Sequence, residues 1–547
     1  MASKLTHTRS ITRDLDPLIL GDLPFWRFAA LFQSSGHSFL LDSALADGKL
    51  GRFSFLGGEP VAVLTAHRIP ATTGQSNSNS NISSFNISHS TASCLTARLT
   101  VTRWKSPEGR RLQKPEIRVC DNDPFTAIRD LQKEYWPEDH TSSPEDPSPP
   151  FGSGLVGYFG YEAGHFLEQI PDTGQDDLQL PDLAFMAVDE VLVLDNQTGR
   201  LAVTVTGRGS DPEKAMTDAK AKADYWPQKL TQFGNGIGKE TGEESVTSAP
   251  PRGIPRTIRA HFDRESYCAA VQKCRDHILC GDAFEICLTH RLEMDQPSPA
   301  WDIYRVLREV NPAPFASYLQ FPDFQVVGAS PERFLRLDEN RLAESRPIKG
   351  TRPRGKNPEQ DQRLRRELAE SAKDRAENLM IVDLVRSDLG KVAKIGSVEV
   401  PELLTVEDYA TVFQLVSTVR AELRPDCDAL DLVQACYPGG SMTGAPKIEA
   451  MKIIDSIEPV SRGVYSGAIG YMDHSGRMDL SIVIRTIVCK DGRCTFGVGG
   501  AVVADSDPAE EYQETLDKAR ALIESLNAVN DPPATTADAF PAKGEMP

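Results

Sequence analysis

The chain lacks the features that would mark several large classes of protein. No run of apolar residues among its 547 positions is long enough to span a bilayer. The first fifteen residues, Met1 to Leu15, have no apolar core of the kind a secretory signal needs. They are rich in Ser, Thr and Arg with no acid before Asp14, as a weak organelle-targeting segment would be. A frayed terminus of a cytoplasmic protein is the plainer reading. A basic surplus is also missing: 60 Lys and Arg stand against 78 Asp and Glu, a net charge of -18. Nucleic acid, whose phosphates need a basic face, is therefore not an expected partner. A small anionic substrate remains open, because a few local cations outweigh a distant net charge.

Cysteine is scattered. Cys268, Cys274, Cys280 and Cys287 recur, but without the paired short spacings of a zinc site. They read as reduced, mostly buried thiols. There is no internal repeat, no Gly-rich phosphate loop followed by Lys-Ser/Thr, and no dinucleotide fingerprint. The Asn-x-Ser sequons at Asn81 and Asn86 fall in a Ser/Asn-rich stretch and carry no expectation of glycosylation.

What is present is a chain of ordinary soluble composition, 40% hydrophobic and 25% charged, long enough for a large core. Residues 71–93 are almost entirely Ser, Asn and Thr, a polar insertion that cannot be buried. Residues 136–150 and 233–255 are rich in Pro, Gly, Ser and acids. The second of these is the expected linker between an N-terminal region, 15–232, and a denser C-terminal region, 256–527. Residues 528–547 read as a disordered tail. In the first region, residues 39–41 and 61–64 are strand-like, and 188–194 pairs with 201–205 as a predicted hairpin. In the second, 360–387 has helical periodicity, 480–489 and 493–503 read as strands, and 508–526 is an amphipathic helix with an acidic first turn.

Four segments of the C-terminal region concentrate reactive groups beside small residues. Lys349 stands in Ser-Arg-Pro-Ile-Lys-Gly-Thr-Arg, on backbone that can approach a ligand closely. Asp374 and Glu377 are three apart, hence on one helix face. The loop at 439–447, with Thr443 at its centre, can offer backbone N–H groups to an oxyanion. Glu511, Glu514 and Lys518 share one face of the last helix. Two helices that each offer a carboxylate can grip one Mg²⁺, a hard ion that takes oxygen ligands. Alone, the lysine and the acidic helix read more readily as solvated side chains, and the Gly-rich segment can be a plain connecting loop.

Taken together and in order, these segments resemble the chorismate-utilising enzymes. The resemblance runs from about His261 to Leu526. It includes Gly-Ala-Ser-Pro-Glu-Arg-Phe at 328–334, Pro-Ile-Lys-Gly-Thr at 347–351, Ala-Glu-Asn-Leu at 376–379 and Gly-Ala-Pro-Lys at 444–447. It continues through Tyr-Ser-Gly at 465–467, Ile-Arg-Thr at 484–486 and Gly-Val-Gly-Gly at 497–500. Leu-Leu-Asp-Ser at 40–43 and Gly-Arg-Phe-Ser-Phe-Leu-Gly at 51–57 carry a weaker resemblance in the N-terminal region. The resemblance implies an α/β (α+β) fold, a large two-layered sandwich of mainly antiparallel sheets with helices outside, in which both regions share a core.

Within that family the residue at Lys349 discriminates. Anthranilate synthases resemble Pro-Ile-Ala-Gly-Thr here, whereas aminodeoxychorismate synthases resemble Pro-Ile-Lys-Gly-Thr. Amination of C4 with retention can proceed by two displacements, the first by an enzyme amine at C2. A lysine serves if desolvation or nearby cations lower its pKa, and Arg346, Arg352 and Arg354 are near in sequence. Glu285, where water-adding members place a lysine, and Asp431, where anthranilate synthases resemble His, point the same way.

The resemblance then implies roles: Lys349 as nucleophile, Glu332 as general acid, and Tyr465, Arg485, Thr443, Gly499, Lys518 and Glu285 on the substrate. Glu377 and Glu514 would hold Mg²⁺, with Asp374 and Glu511 close by. Leu41, Ser43, Pro312 and Phe315 resemble the family's tryptophan pocket, with core or structural use the expectation. The implied reaction makes 4-amino-4-deoxychorismate from chorismate, toward p-aminobenzoate and folate, with ammonia from a separate glutaminase subunit. An anthranilate synthase component and a non-catalytic chorismate- or tryptophan-binding regulator are the rivals.

Overall fold

The computed structural model describes residues 7–529 except 22, 46–49, 70–95, 107–110, 138–140, 143–148, 241–256 and 410–411. The polar insertion, nearly all of the expected tail and most of the expected linker lie outside the described residues. The first part of that linker does not: the helix Pro212–Glu240 runs through residues 233–240.

Two large sheets face each other. One orders its strands Arg259–Ala260, Glu285–Asp295, Arg493–Val502, Thr486–Lys490, Phe324–Ser330, Phe315–Gln320, Ser38–Asp42, Phe53–Gly58, Glu190–Asp195, Leu201–Gly209, His7–Leu15 and Thr141–Ser142. The short strand Gly444–Ala445 pairs with Glu285–Asp295. The other sheet runs Ile348–Pro353, Val412–Glu422, Leu342–Ser345, Arg333–Leu337, Met478–Ile482, Ala468–Asp473, Gly154–Phe159, Leu183–Val188, Ala62–Arg68, Ala97–Lys105 and Arg111–Asn122. Every pairing in this second sheet is antiparallel. Both sheets take strands from both regions of the chain, so neither region has a core of its own.

The space between the sheets is filled by Phe39, Phe55, Phe151, Tyr158, Met186, Phe324 and Tyr471, among others. Each such buried side chain contributes roughly 2 kcal/mol of transfer free energy. Helices Pro212–Glu240, Ala300–Val310 and Pro508–Ala528 cover the outer face of the first sheet through Trp226, Tyr304 and Leu522. Helices Pro124–Tyr135, Ala372–Gly390 and Ala429–Cys436 cover the second through Phe125, Ile381 and Val433. A strand covered on both faces has no polar side, which is why Leu183–Val188 reads as one continuous apolar run. Among the described residues no helix is long and apolar enough to cross a membrane.

Two stretches that the sequence predicts as single strands each cross between the sheets. Residues 190–194 pair antiparallel with 201–205 as the predicted hairpin, but the stretch bends at Asp189: Leu183–Val188 belongs to the second sheet and Glu190–Asp195 to the first. Asp189 is held there by a buried ion pair with Arg208, at 2.6 Å. Residues 480–489 break in the same way, Met478–Ile482 lying in the second sheet and Thr486–Lys490 in the first. Arg485 sits in that break with φ at +52°, a backbone region that costs a non-glycine residue energy. Apolar alternation marks a strand but not which sheet receives it, so a sheet change inside an apolar run leaves no pattern. The helical stretch 360–387 is likewise two helices, Pro358–Glu370 and Ala372–Gly390, divided at Ser371, whose side chain accepts from Asp374 N as a cap.

Candidate active site

A cleft of about 580 Å³ opens where the crossover at Arg485 meets the helices Ala372–Gly390 and Pro508–Ala528. Glu332, Lys349, Asp374, Glu377, Tyr465, Arg485, Gly499, Glu514 and Lys518 all line it. Lys349 comes from the edge strand Ile348–Pro353, where pairing with Val412–Glu422 slips between Ile348 and Thr351. A slip of this kind re-aims side chains.

Lys349 Nζ donates to Glu285 Oε1 at 2.6 Å, and the Glu285 side chain is fully buried at the start of its strand. Burial alone would push the Lys349 amine down, but the Glu285 and Glu377 carboxylates outweigh it and hold the amine above its ordinary range. The expected lowering by neighbouring arginines is absent, and each of them is paired with a carboxylate. Arg346 pairs with Glu407 at 2.6 Å, Arg352 with Asp374 at 2.9 Å and Arg354 with Asp361 at 2.7 Å.

Burial pushes the Glu332 carboxyl up to about 7, against the opposing pull of a Ser441 hydrogen bond and the Lys349 charge. A carboxyl so placed keeps a proton to give near neutrality. Burial likewise raises Glu377 to about 7, and raises Glu511. Glu377 Oε1 and Glu511 Oε2 are buried oxygens with no hydrogen-bond partner among the described residues. Burial would raise Glu514 too, but Lys518 at 2.7 Å holds it below its usual range. Lys518 Nζ also donates to Gly499 O at 2.7 Å. Glu511 Oε2 faces Gly500, where an added Cβ would come within 2.8 Å of it.

Arg485 is half-buried, and desolvation lowers its pKa. Among the described residues no carboxylate pairs with it, so a guanidinium without a counter-ion points to a missing anion. Tyr465 packs flat on Gly497, where a Cβ would meet the ring at 2.1 Å.

The remaining candidates fall elsewhere. Thr443 is fully buried and its hydroxyl donates to Gly439 O and Gly440 O, both at 3.3 Å; its neighbours Ser441 and Met442 reach the cleft instead. Asp431 belongs to the first turn of Ala429–Cys436, in a capping box with Asp428 and an ion pair with Arg129 at 2.6 Å. Leu41, Ser43 and Phe315 line a second cavity of about 410 Å³ between the sheets, which Pro314 joins and Pro312 does not. Lys373, Gln414 and Ser441 line the cleft without having been singled out in the sequence. Lys373 stands four residues before Glu377, a helix-face spacing that marks it; Gln414 carries no local signal.

Residues 101–524 match the family described as chorismate binding enzyme. The chain belongs to that family. Among its relatives, an aminodeoxychorismate synthase of Streptomyces griseus is 39% identical over 505 residues, covering 91% of this chain and 62% of that protein. The chain thus spans about three-fifths of that relative's length. Anthranilate synthase component 1 of Pseudomonas aeruginosa is also 39% identical, over 407 residues, covering 74% of this chain and 80% of that one. Among solved structures, anthranilate synthase component I from Streptococcus pneumoniae TIGR4 superposes with a TM-score of 0.64 at 28% identity, covering 86% of this chain and 92% of that chain. The family fold is therefore the two-sheet sandwich described above.

Proposed function

We propose that this chain is the synthase part of a chorismate-aminating enzyme, making 4-amino-4-deoxychorismate and water from chorismate and ammonia. Relatives of two activities stand at the same identity, 39%, so overall similarity does not choose between them. The observation that carries the choice is Lys349, an amine in the cleft beside a fully buried proton acceptor, Glu285.

In this reading Glu285 takes the Lys349 proton and the freed amine attacks ring C2. The ring double bonds shift, the C4–O bond breaks, and the hydroxyl leaves as water with the Glu332 proton. Ammonia then forms the C4–N bond while the C2–N bond to Lys349 breaks and the double bonds shift back. Lys349 regains its proton from Glu285, and Glu332 is reprotonated by the new C4 ammonium. Covalent catalysis of this kind splits one difficult displacement into two. Arg485, with no carboxylate partner among the described residues, would bind one substrate carboxylate by its planar fork, with Tyr465 beside it.

A magnesium ion fits the acidic end of the cleft. Its donors are all carboxylate oxygens, two of them buried without a hydrogen-bond partner among the described residues, and Lys373 is the cation now beside Glu377 and Glu511, at 3.9 and 3.5 Å. Among the described residues no three His, Cys, Asp or Glu side chains converge on one metal position, so water and substrate oxygens would complete the shell, as is usual for this ion. Glu377 and Glu514 would hold it, with Glu511 and Asp374 adjacent, and when bound it would neutralise the ring carboxylate. Ammonia would come from a separate glutaminase subunit.

The second reading is amination at C2 with loss of pyruvate, favoured by the equal similarity of the Pseudomonas relative. A non-catalytic regulator is disfavoured by the proposed nucleophile Lys349, the proposed acid Glu332 and the carboxylates Glu377 and Glu514 meeting in one cleft. The test is to incubate the purified chain with chorismate, ammonium and Mg²⁺ and identify the product by mass. Aminodeoxychorismate supports the proposal; anthranilate with pyruvate, or no turnover, overturns it.

A further inference from the structure

Arg462 does not line the cleft, yet its guanidinium is bonded to two of the cleft's walls. Nε and Nη2 donate to Glu458 Oε2 and Oε1 at 2.8 and 2.7 Å. Nη1 donates to Met442 O and Nη2 to Cys287 O, both at 2.7 Å. Met442 and Cys287 line the cleft, and so does Tyr465, three residues along the same loop. Glu458 Oε1 also accepts from Thr289 N at 2.8 Å and Thr289 Oγ1 at 3.0 Å. The Arg462 and Glu458 side chains are 3% and 6% exposed, so the cluster is closed to water.

The N-terminal region completes the cluster. The Tyr161 ring lies 4.3 Å from the Arg462 guanidinium carbon. The Glu162 carboxylate accepts from Arg462 N at 2.6 Å and Gly463 N at 2.9 Å.

We propose that Arg462 is the positioning residue through which the N-terminal region sets the catalytic cleft. Cys287 lies two residues from Glu285, which holds Lys349. Met442 follows Ser441, which hydrogen-bonds Glu332. One planar fork thus fixes the wall carrying the nucleophile pair relative to the wall carrying the acid. The proposal rests on the functional reading above. A buried ion pair adds little net stability, whereas a misplacement of about 1 Å in an active site costs about 10²-fold in rate. Lysine keeps the charge but has no fork, so it cannot hold both carbonyls and the carboxylate at once.

The test compares Arg462→Lys, Glu458→Gln and Glu162→Gln in the full chain. Each is assayed for kcat, chorismate KM and thermal midpoint with ammonium as nitrogen source. The expected result is a kcat loss of about 10²-fold for Arg462→Lys and about tenfold for the two milder variants, with KM within about threefold of wild type. The milder variants keep the test alive if Arg462→Lys fails to fold. Wild-type kcat in folded variants overturns the proposal. So does a loss of rate matched by an equal rise in KM, or one that disappears on assay well below the thermal midpoint, since those mark a merely structural role. Wild-type product identity tests the underlying reading separately, because the kcat-against-KM split reports on Arg462 whichever product forms.

Discussion

The Lys349 ammonium donates at 2.6 Å to Glu285, a carboxylate with no exposed side-chain surface. One Glu285 oxygen is taken by the lysine, and the other is buried without a hydrogen-bond partner among the described residues. The pair keeps the amine charged in the free protein and places its proton acceptor beside it. Removing the acceptor leaves a buried charge unpaired. Glu285→Ala should therefore lower unfolding stability by about 3 kcal/mol, measured by urea denaturation. It should also lower kcat by about 10²-fold. A variant with wild-type stability would show that the ammonium is already neutralised by another group.

Glu332 predicts the pH dependence. In the proposed role of general acid it must be protonated, and burial raises its carboxyl to about 7. Its protonated fraction is high below that value and is lost as pH rises through it. With the rate corrected for the fraction of free ammonia, kcat should fall as pH climbs above 7. Glu332→Gln should remove that limb and lower kcat by about 10²–10⁴-fold. A wild-type profile flat from pH 6 to 9 would remove Glu332 from the role of acid.

Much of this site can be read along the sequence, because Glu332, Lys349, Glu377, Arg485 and Glu514 each stand in a short distinctive segment and all reach one cleft. What cannot be read is which segments meet. The charges expected to depress Lys349 belong to arginines whose carboxylates, Glu407, Asp374 and Asp361, come from other elements. Thr443 and Ser441 are two residues apart in one Gly-rich loop, and only the tight turn at Gly440–Met442 decides which faces the cleft. The two-sheet sandwich follows from the family resemblance. The crossover that exposes Arg485 lies inside an apolar run that alternation reads as one strand.

Arg485 predicts opposite effects on binding and stability. It is half-buried without a carboxylate partner among the described residues, and its backbone φ is positive. Arg485→Ala should weaken chorismate binding by about 10–100-fold, the loss of a charge-assisted pair. The same change should leave the free protein as stable or more stable, since an unpaired charge is no longer desolvated. Titration calorimetry and thermal melting check the two arms. A clear drop in melting temperature with unchanged binding would make Arg485 structural.

The acidic end of the cleft predicts a requirement for a divalent cation. Excess chelator should abolish turnover and added Mg²⁺ restore it. Glu377→Ala and Glu514→Ala should each remove Mg²⁺ binding detected by calorimetry. Gly500→Ala, whose Cβ would come within 2.8 Å of Glu511 Oε2, should weaken that binding. Full activity in chelator would show that these carboxylates hold no metal needed for turnover.

The most direct test of the account is the product made by Lys349→Ala from chorismate, ammonium and Mg²⁺, with chorismate binding measured on the same sample. The account predicts that chorismate still binds, while formation of 4-amino-4-deoxychorismate is lost because no enzyme amine can displace the C4 hydroxyl from C2. Aminodeoxychorismate formed by this variant at the wild-type rate would contradict it.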